Sequence, residues 1–92
     1  MIYRRRLLAE TKLINRRLKG KQIGYWEYYW NNGNLMSKGN YNNDGQKIGY
    51  WEVYHSNGNL KYKGNCHNGN FVGDWHHFNK DGSLKERRNY DN

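Results

Sequence analysis

Gly24-Tyr25-Trp26-Glu27-Tyr28-Tyr29-Trp30-Asn31-Asn32-Gly33-Asn34-Leu35 returns as Gly49-Tyr50-Trp51-Glu52-Val53-Tyr54-His55-Ser56-Asn57-Gly58-Asn59-Leu60. A weaker third copy reads Gly73-Asp74-Trp75-His76-His77-Phe78-Asn79-Lys80-Asp81-Gly82-Ser83-Leu84. Repetition at a fixed period is the signature of stacked supersecondary units. Within each copy an aromatic run and a run opening at Leu35, Leu60 or Leu84 flank Asn32-Gly33, Asn57-Gly58 or Asp81-Gly82. Asn-Gly and Asp-Gly are strong hairpin signals, because both residues tolerate positive φ. The sequence therefore predicts tandem two-stranded hairpins over about residues 21–45, 46–70 and 71–92, preceded by a basic segment over 1–20.

Alternation along the return strands puts Leu35, Ser37, Gly39 and Tyr41 on one face, and Leu60, Tyr62, Gly64 and Cys66 on the equivalent one. Gly39 and Gly64 leave room there for a neighbouring tryptophan ring. Trp26 and Tyr29 are three residues apart, which a flat strand sends to opposite faces and a bulge brings together. Their recurrence assigns Trp26, Tyr29, Trp51, Tyr54, Trp75 and Phe78 to the structural core of the repeat.

Aromatics make up 16% of the 92 residues, while valine and isoleucine are scarce, so tryptophan and tyrosine must hold a thin structure together. The Gly-x-Trp-x-x-Tyr-x-x-Asn-Gly-x-Leu pattern resembles the MORN repeat, in its bacterial MORN-variant form, over about residues 20–90. That resemblance implies an all-β fold of antiparallel hairpins forming one extended, twisted and curved sheet. It further implies a non-catalytic module, since MORN-variant proteins are grouped as antitoxin-like or accessory proteins. The third copy departs from the pattern with Asp74 and Phe78 in place of two tyrosines. A final unit is expected to be atypical, because it faces no following unit.

Two readings compete for residues 1–20. Gly20 precedes Gly24 as Gly45 precedes Gly49 and Gly69 precedes Gly73, so Lys12 to Lys19 fits the return strand of a degenerate first unit. The alternative is a short amphipathic helix with Leu7, Ile14 and Leu18 on one face. Register with the later units favours the strand, and either form would cover a sheet edge.

Charge singles out the same segment. Residues 1–21 carry eight cations (Arg4, Arg5, Arg6, Lys12, Arg16, Arg17, Lys19 and Lys21) against Glu10 alone, a net of +7 out of the chain's +8. Arg4, Arg5, Arg6, Arg16, Arg17 and Lys19 are accordingly candidates for contact with an acidic partner. Aromatics outside the assigned core, Tyr25, Tyr28, Trp30, Tyr50 and Tyr62, are candidates for the same interface. One alternative combines these cations and rings to bind nucleic acid, through phosphate contacts and stacking. Another is a MORN module on anionic lipid, which the lack of an apolar insertion face disfavours.

No catalytic constellation emerges. The carboxylates are scattered, and Glu27 and Glu52 occupy equivalent positions about one repeat apart, each suited to a cross-strand lysine. Cys66, His67, His76 and His77 match no zinc spacing, and adjacent strand residues point to opposite faces. No metal or cofactor is implied. A single cysteine and the lack of a long apolar run lead to the expectation of a cytoplasmic protein, monomeric or homodimeric.

Overall fold

The computed structural model describes the backbone of residues 2–3, 7–8 and 12–91, and side chains from residue 14 onward. Every element within these residues is a strand. Four short pieces come first: β1 (Ile2–Tyr3), β2 (Leu7–Leu8), β3 (Lys12–Leu13) and β4 (Arg16–Leu18). Six longer strands follow: β5 (Lys21–Tyr29), β6 (Leu35–Tyr41), β7 (Lys47–Tyr54), β8 (Leu60–His67), β9 (Asn70–Phe78) and β10 (Leu84–Asn89). Strands β5 to β10 pair in chain order as one open antiparallel sheet, while β2 and β3 pair separately. This is the hairpin-repeat architecture that the sequence predicts.

The described residues of the N-terminal segment form strands and turns rather than a helix. β4 pairs with one half of β5 and β1 with the other, so the two share the edge of β5 away from β6. Between them, buried Asn15 closes the gap with its side chain. Its Oδ1 accepts from the Glu27 backbone N–H at 2.8 Å, and its Nδ2 donates to the Glu27 carbonyl at 3.2 Å. A side-chain amide thus replaces one rung of the ladder. Satisfying both groups matters because a buried orphaned backbone group costs about 1–3 kcal/mol.

The repeat owes its shape to two glycine positions. Gly24, Gly49 and Gly73 all hold φ close to +68°, a left-handed conformation open to glycine at little steric cost. At the second and third of these the register slips: Lys38 faces Glu52 but Asn40 faces Ile48, and Lys63 faces His76 but Asn65 faces Val72. The kink lays Trp51 across Gly39 and Trp75 across Gly64. A Cβ at Gly39 would lie 2.6 Å from Cγ of Trp51, and one at Gly64 2.5 Å from Cγ of Trp75. Each indole is then fixed by its N–H, given by Trp26 to the Arg16 carbonyl (3.0 Å), by Trp51 to that of Asn40 (3.1 Å) and by Trp75 to that of Asn65 (3.0 Å). Arg16 therefore stands where Asn40 and Asn65 stand, and Asn15 where Gly39 and Gly64 stand.

Trp26, Trp51 and Trp75 are buried on one face of the sheet with Tyr41 and Cys66. Tyr29, Tyr54 and Phe78 are half-buried on the other face. The bulge expected between Trp26 and Tyr29 lies instead on the return strand, opposite Tyr28 and Tyr29. This corrects one alternation: Leu35 sits across from Tyr29 and Leu60 across from Tyr54, so neither shares the face of Gly39 or Gly64. An extra residue, Met36 or Lys61, absorbs the shift.

Candidate binding faces

The two faces offer different chemistry. On the tryptophan face each indole has a lid drawn from the strand pair that leads into it. The Arg17 guanidinium lies 5.1 Å from the Trp26 ring, and the Lys47 ammonium 4.9 Å from that of Trp51. Phe71 stacks on Trp75 at 3.8 Å. A cation over an indole is attracted by the ring quadrupole, so Arg17 and Lys47 act within the fold as well as at its surface. Tyr41 meets Trp26 and Trp51 edge-on, at 6.2 and 5.1 Å. Its hydroxyl bonds that of Tyr28 at 2.9 Å, and Tyr28 in turn receives a hydrogen bond from Gln22. Burial first, then the Tyr28 hydroxyl, pushes the Tyr41 phenol far above its ordinary range. Burial also raises the Cys66 thiol, against the pull of Lys47.

In the middle of this face Tyr28, Met36, Trp51, Val53 and Tyr62 line an open groove of about 430 Å³, with Lys47 the charged residue among its lining. Tyr28 and Tyr62, read from sequence as free interface aromatics, are half-buried and packed against the core. Met36, Lys47 and Val53 went unnoticed in the sequence. Met36 is exposed to the groove by the bulge, which the hydrophobic pattern does not reveal.

On the opposite face two tyrosines clasp a glutamate in each of the first two units. Tyr25 and Tyr29 donate to the Glu27 carboxylate at 3.0 and 2.5 Å, and Tyr50 and Tyr54 to that of Glu52 at 2.9 and 2.6 Å. Lys38 reaches Glu52 from the adjacent strand at 3.4 Å, the cross-strand partner expected for it. Burial works against ionisation of Glu52, but the Tyr54 and Tyr50 hydroxyls and Lys38 outweigh it and hold the carboxyl below its usual range. Burial and Glu52 push the Tyr50 phenol up to about 12. Tyr50 is 48% exposed, whereas Tyr25 is half-buried. The third unit carries Asp74, His76 and Phe78 at these positions and has no clasp.

Of the basic candidates, Arg4, Arg5 and Arg6 lie outside the described residues. Arg16, Arg17 and Lys19 are exposed around the Lys19–Gly20 turn. Arg16 lies against Gly24, and Arg17 donates to the Gly20 carbonyl at 3.2 Å. Trp30 is half-buried and gives its indole N–H to the Tyr54 carbonyl at 3.2 Å, bridging the first and second turns. Among the described residues no three His, Cys, Asp or Glu side chains converge as metal ligands would. Nor does any described helix cross a membrane.

The molecule is thus a tandem β-hairpin repeat protein, with an aromatic face and a tyrosine–glutamate face. The MORN repeat variant matches it twice, over residues 22–43 and 47–68, the first two hairpin units. MORN repeats are non-enzymatic modules used for binding. No curated protein and no solved structure matches the chain.

Proposed function

We propose that this chain is a non-catalytic protein-interaction module that takes a larger, acidic partner on its tryptophan face. The observation that supports this reading is the groove around Trp51, an open aromatic surface with Lys47 beside it. Half-buried aromatic and Met side chains lining an open groove match the make-up of an interface centre, where these residue types are enriched. The finer reading is an inhibitor or antitoxin-like protein that occludes its target with this face. The exposed cations of the β4–β5 turn steer an acidic surface toward the groove.

The test is an affinity pull-down from lysate with nuclease treatment, comparing wild type with Met36→Glu/Val53→Glu and with a charge reversal at Arg4, Arg5, Arg6 and Lys19. Arg17 is left intact in the reversal because it covers Trp26. One stoichiometric protein that survives nuclease, and that the groove variant loses while melting normally, supports the reading. A partner retained by both variants refutes it. Recovery of nucleic acid alone favours the alternative in which the basic segment binds phosphate.

A further inference from the structure

The sheet has a second concave site at its turn end, between the Asn57–Gly58 and Asp81–Gly82 turns. Two adjoining hollows meet there, of about 280 and 310 Å³, sharing His55, Lys61 and Lys80. Trp30 borders the first, and Lys85 and His77 the second. No carboxylate lines either one. Glu86 faces His77 across the strands, but its carboxylate is engaged by Arg88 at 2.9 Å.

The repeat itself builds this cluster. Lys61 and Lys85 occupy the extra-residue positions of the two later bulges, the place held by Met36 in the first unit. Lys80 is fixed by its own carbonyl, which accepts from Asn57 Nδ2 at 2.8 Å and Asn59 Nδ2 at 2.7 Å. His55 is held by a contact of its Nε2 with the Phe78 carbonyl at 3.1 Å. Beneath the lysines, Nε2 of His77 is buried and, among the described residues, lacks a hydrogen-bond partner. Buried polar atoms are ordinarily satisfied by protein, water or an ion, so this nitrogen leaves one hydrogen-bonding place open at the second hollow.

Three ammonium groups exceed what one carboxylate balances. A phosphate monoester carries about −1.5 to −2 charges and three acceptor oxygens. The hollows are at the small end of ligand sites, which start near about 300 Å³, and the Trp30 indole lines the first of them. We propose that this cleft binds a nucleotide, with its phosphate among Lys61, Lys80 and Lys85 near His77 and its base against Trp30. The site is separate from the groove proposed for a protein partner, touching it only at Tyr62, and stands or falls independently of that reading.

The test is NMR titration of the full chain, following the Trp30 indole N–H and the His77 ring, with adenosine monophosphate, adenosine and inorganic phosphate as probes. Adenosine monophosphate is expected to saturate shifts at both residues and to bind at least about fivefold tighter than inorganic phosphate, the gain of one stacked base. Adenosine alone should give no saturable shift. Lys61→Gln/Lys80→Gln/Lys85→Gln should abolish binding with an unchanged melt, since all three side chains are exposed. Trp30→Leu should bring the nucleotide down to the affinity of free phosphate. The proposal is overturned if adenosine monophosphate gives no saturable shift, if the triple variant binds it normally, or if phosphate binds as well as the nucleotide. It is equally overturned if a phosphoserine peptide or phosphoinositide vesicles shift these signals and the nucleotide does not.

Discussion

Adding one methyl group at Gly39 is a demanding test of this fold. The alanine Cβ would stand 2.6 Å from Cγ of Trp51 and closer still to two further ring atoms, so something must move. The ring has nowhere to go, being pinned by its hydrogen bond to the Asn40 carbonyl at 3.1 Å, flanked by Tyr41 at 5.1 Å and covered by Lys47 at 4.9 Å. Overpacking a core by one methyl costs about 1–3 kcal/mol. Loss of the indole hydrogen bond adds about 1 kcal/mol. Gly39→Ala should therefore destabilise by about 2–4 kcal/mol, a large share of the roughly 5–15 kcal/mol typical of a domain.

Register supplies an internal control. Arg88 pairs with Trp75 as Gly39 pairs with Trp26 and Gly64 with Trp51, but among the described residues no following ring lies over it. Arg88→Ala loses an exposed ion pair with Glu86 and should change stability by no more than about 1 kcal/mol. Urea denaturation of both variants, followed by tryptophan fluorescence, measures the difference. Equal midpoints for Gly39→Ala and Arg88→Ala would refute the proposed role of the ring-over-glycine contact. So would an equal cost of Gly39→Ala in a Trp51→Leu background, where the clash is gone.

Asn15→Ala removes both side-chain bonds to the Glu27 backbone and should cost about 1–3 kcal/mol, read from the urea midpoint; Asn15→Asp, which turns a buried carboxylate oxygen toward the Glu27 carbonyl, should cost at least as much. Burial is the main cause of the raised Tyr50 phenol and the Glu52 carboxylate adds to it, so in Glu52→Gln its ultraviolet titration should fall only part of the way from about 12 toward the ordinary value near 10. The raised phenol prefers its protonated form in the folded state, so its stabilisation holds below about pH 10 and is lost as pH climbs toward 12. The depressed Glu52 carboxyl acts oppositely: its contribution is present above the ordinary glutamate range and fades as pH falls below about 4, which acid-unfolding curves of wild type and Glu52→Gln should separate. Cys66, buried with its thiol raised, should react with alkylating reagents only as fast as the sheet opens. A labelling rate equal to that of a free thiol would place it at the surface.

The fold was legible because its determinants repeat. A glycine that must take positive φ, a tryptophan two residues later and an Asn-Gly turn recur together, and each has one physical reason to be there. The space left by Gly39 and Gly64 was legible for the same reason. The division of the aromatics between faces was not. Alternation is a count of two, and an inserted Met36 or Lys61 changes that count without leaving a mark in hydrophobicity. Tyr28 and Tyr62 therefore read as surplus rings although they pack on the tryptophans. Lysines at bulge positions read as ordinary surface charge, and only the register shows Lys61 and Lys85 gathering at one hollow. Asn15 is the subtlest case. Nothing in its neighbourhood signals a buried residue, and its identity makes sense only once Glu27 is seen to need a partner at a gap between two strands.

The same register explains why the two flanks of the repeat differ from its middle. Inside the sheet, each Asn-Gly turn reaches the next: Asn32 and Asn34 both donate to the Ser56 carbonyl, at 2.8 and 2.9 Å, as Asn57 and Asn59 do to that of Lys80. The third turn replaces these two donors with Asp81 and Ser83, which bond each other at 2.6 Å. A carboxylate has no hydrogen to give a neighbouring carbonyl, so this turn satisfies itself. At the same flank Arg88 fills the place that glycine holds in β6 and β8, and a further unit built like these would drive its indole into that side chain. On the opposite flank Asn15 fills the corresponding place and turns its amide inward to Glu27. One structural position thus carries glycine in β6 and β8, an asparagine that turns inward before β4 and an arginine in β10. The third unit keeps Trp75 buried while lacking both the tyrosine clasp and the asparagine bridge. The indole is needed for burial against Gly64, whereas the Asp81–Ser83 pair closes its own turn without the asparagine bridge.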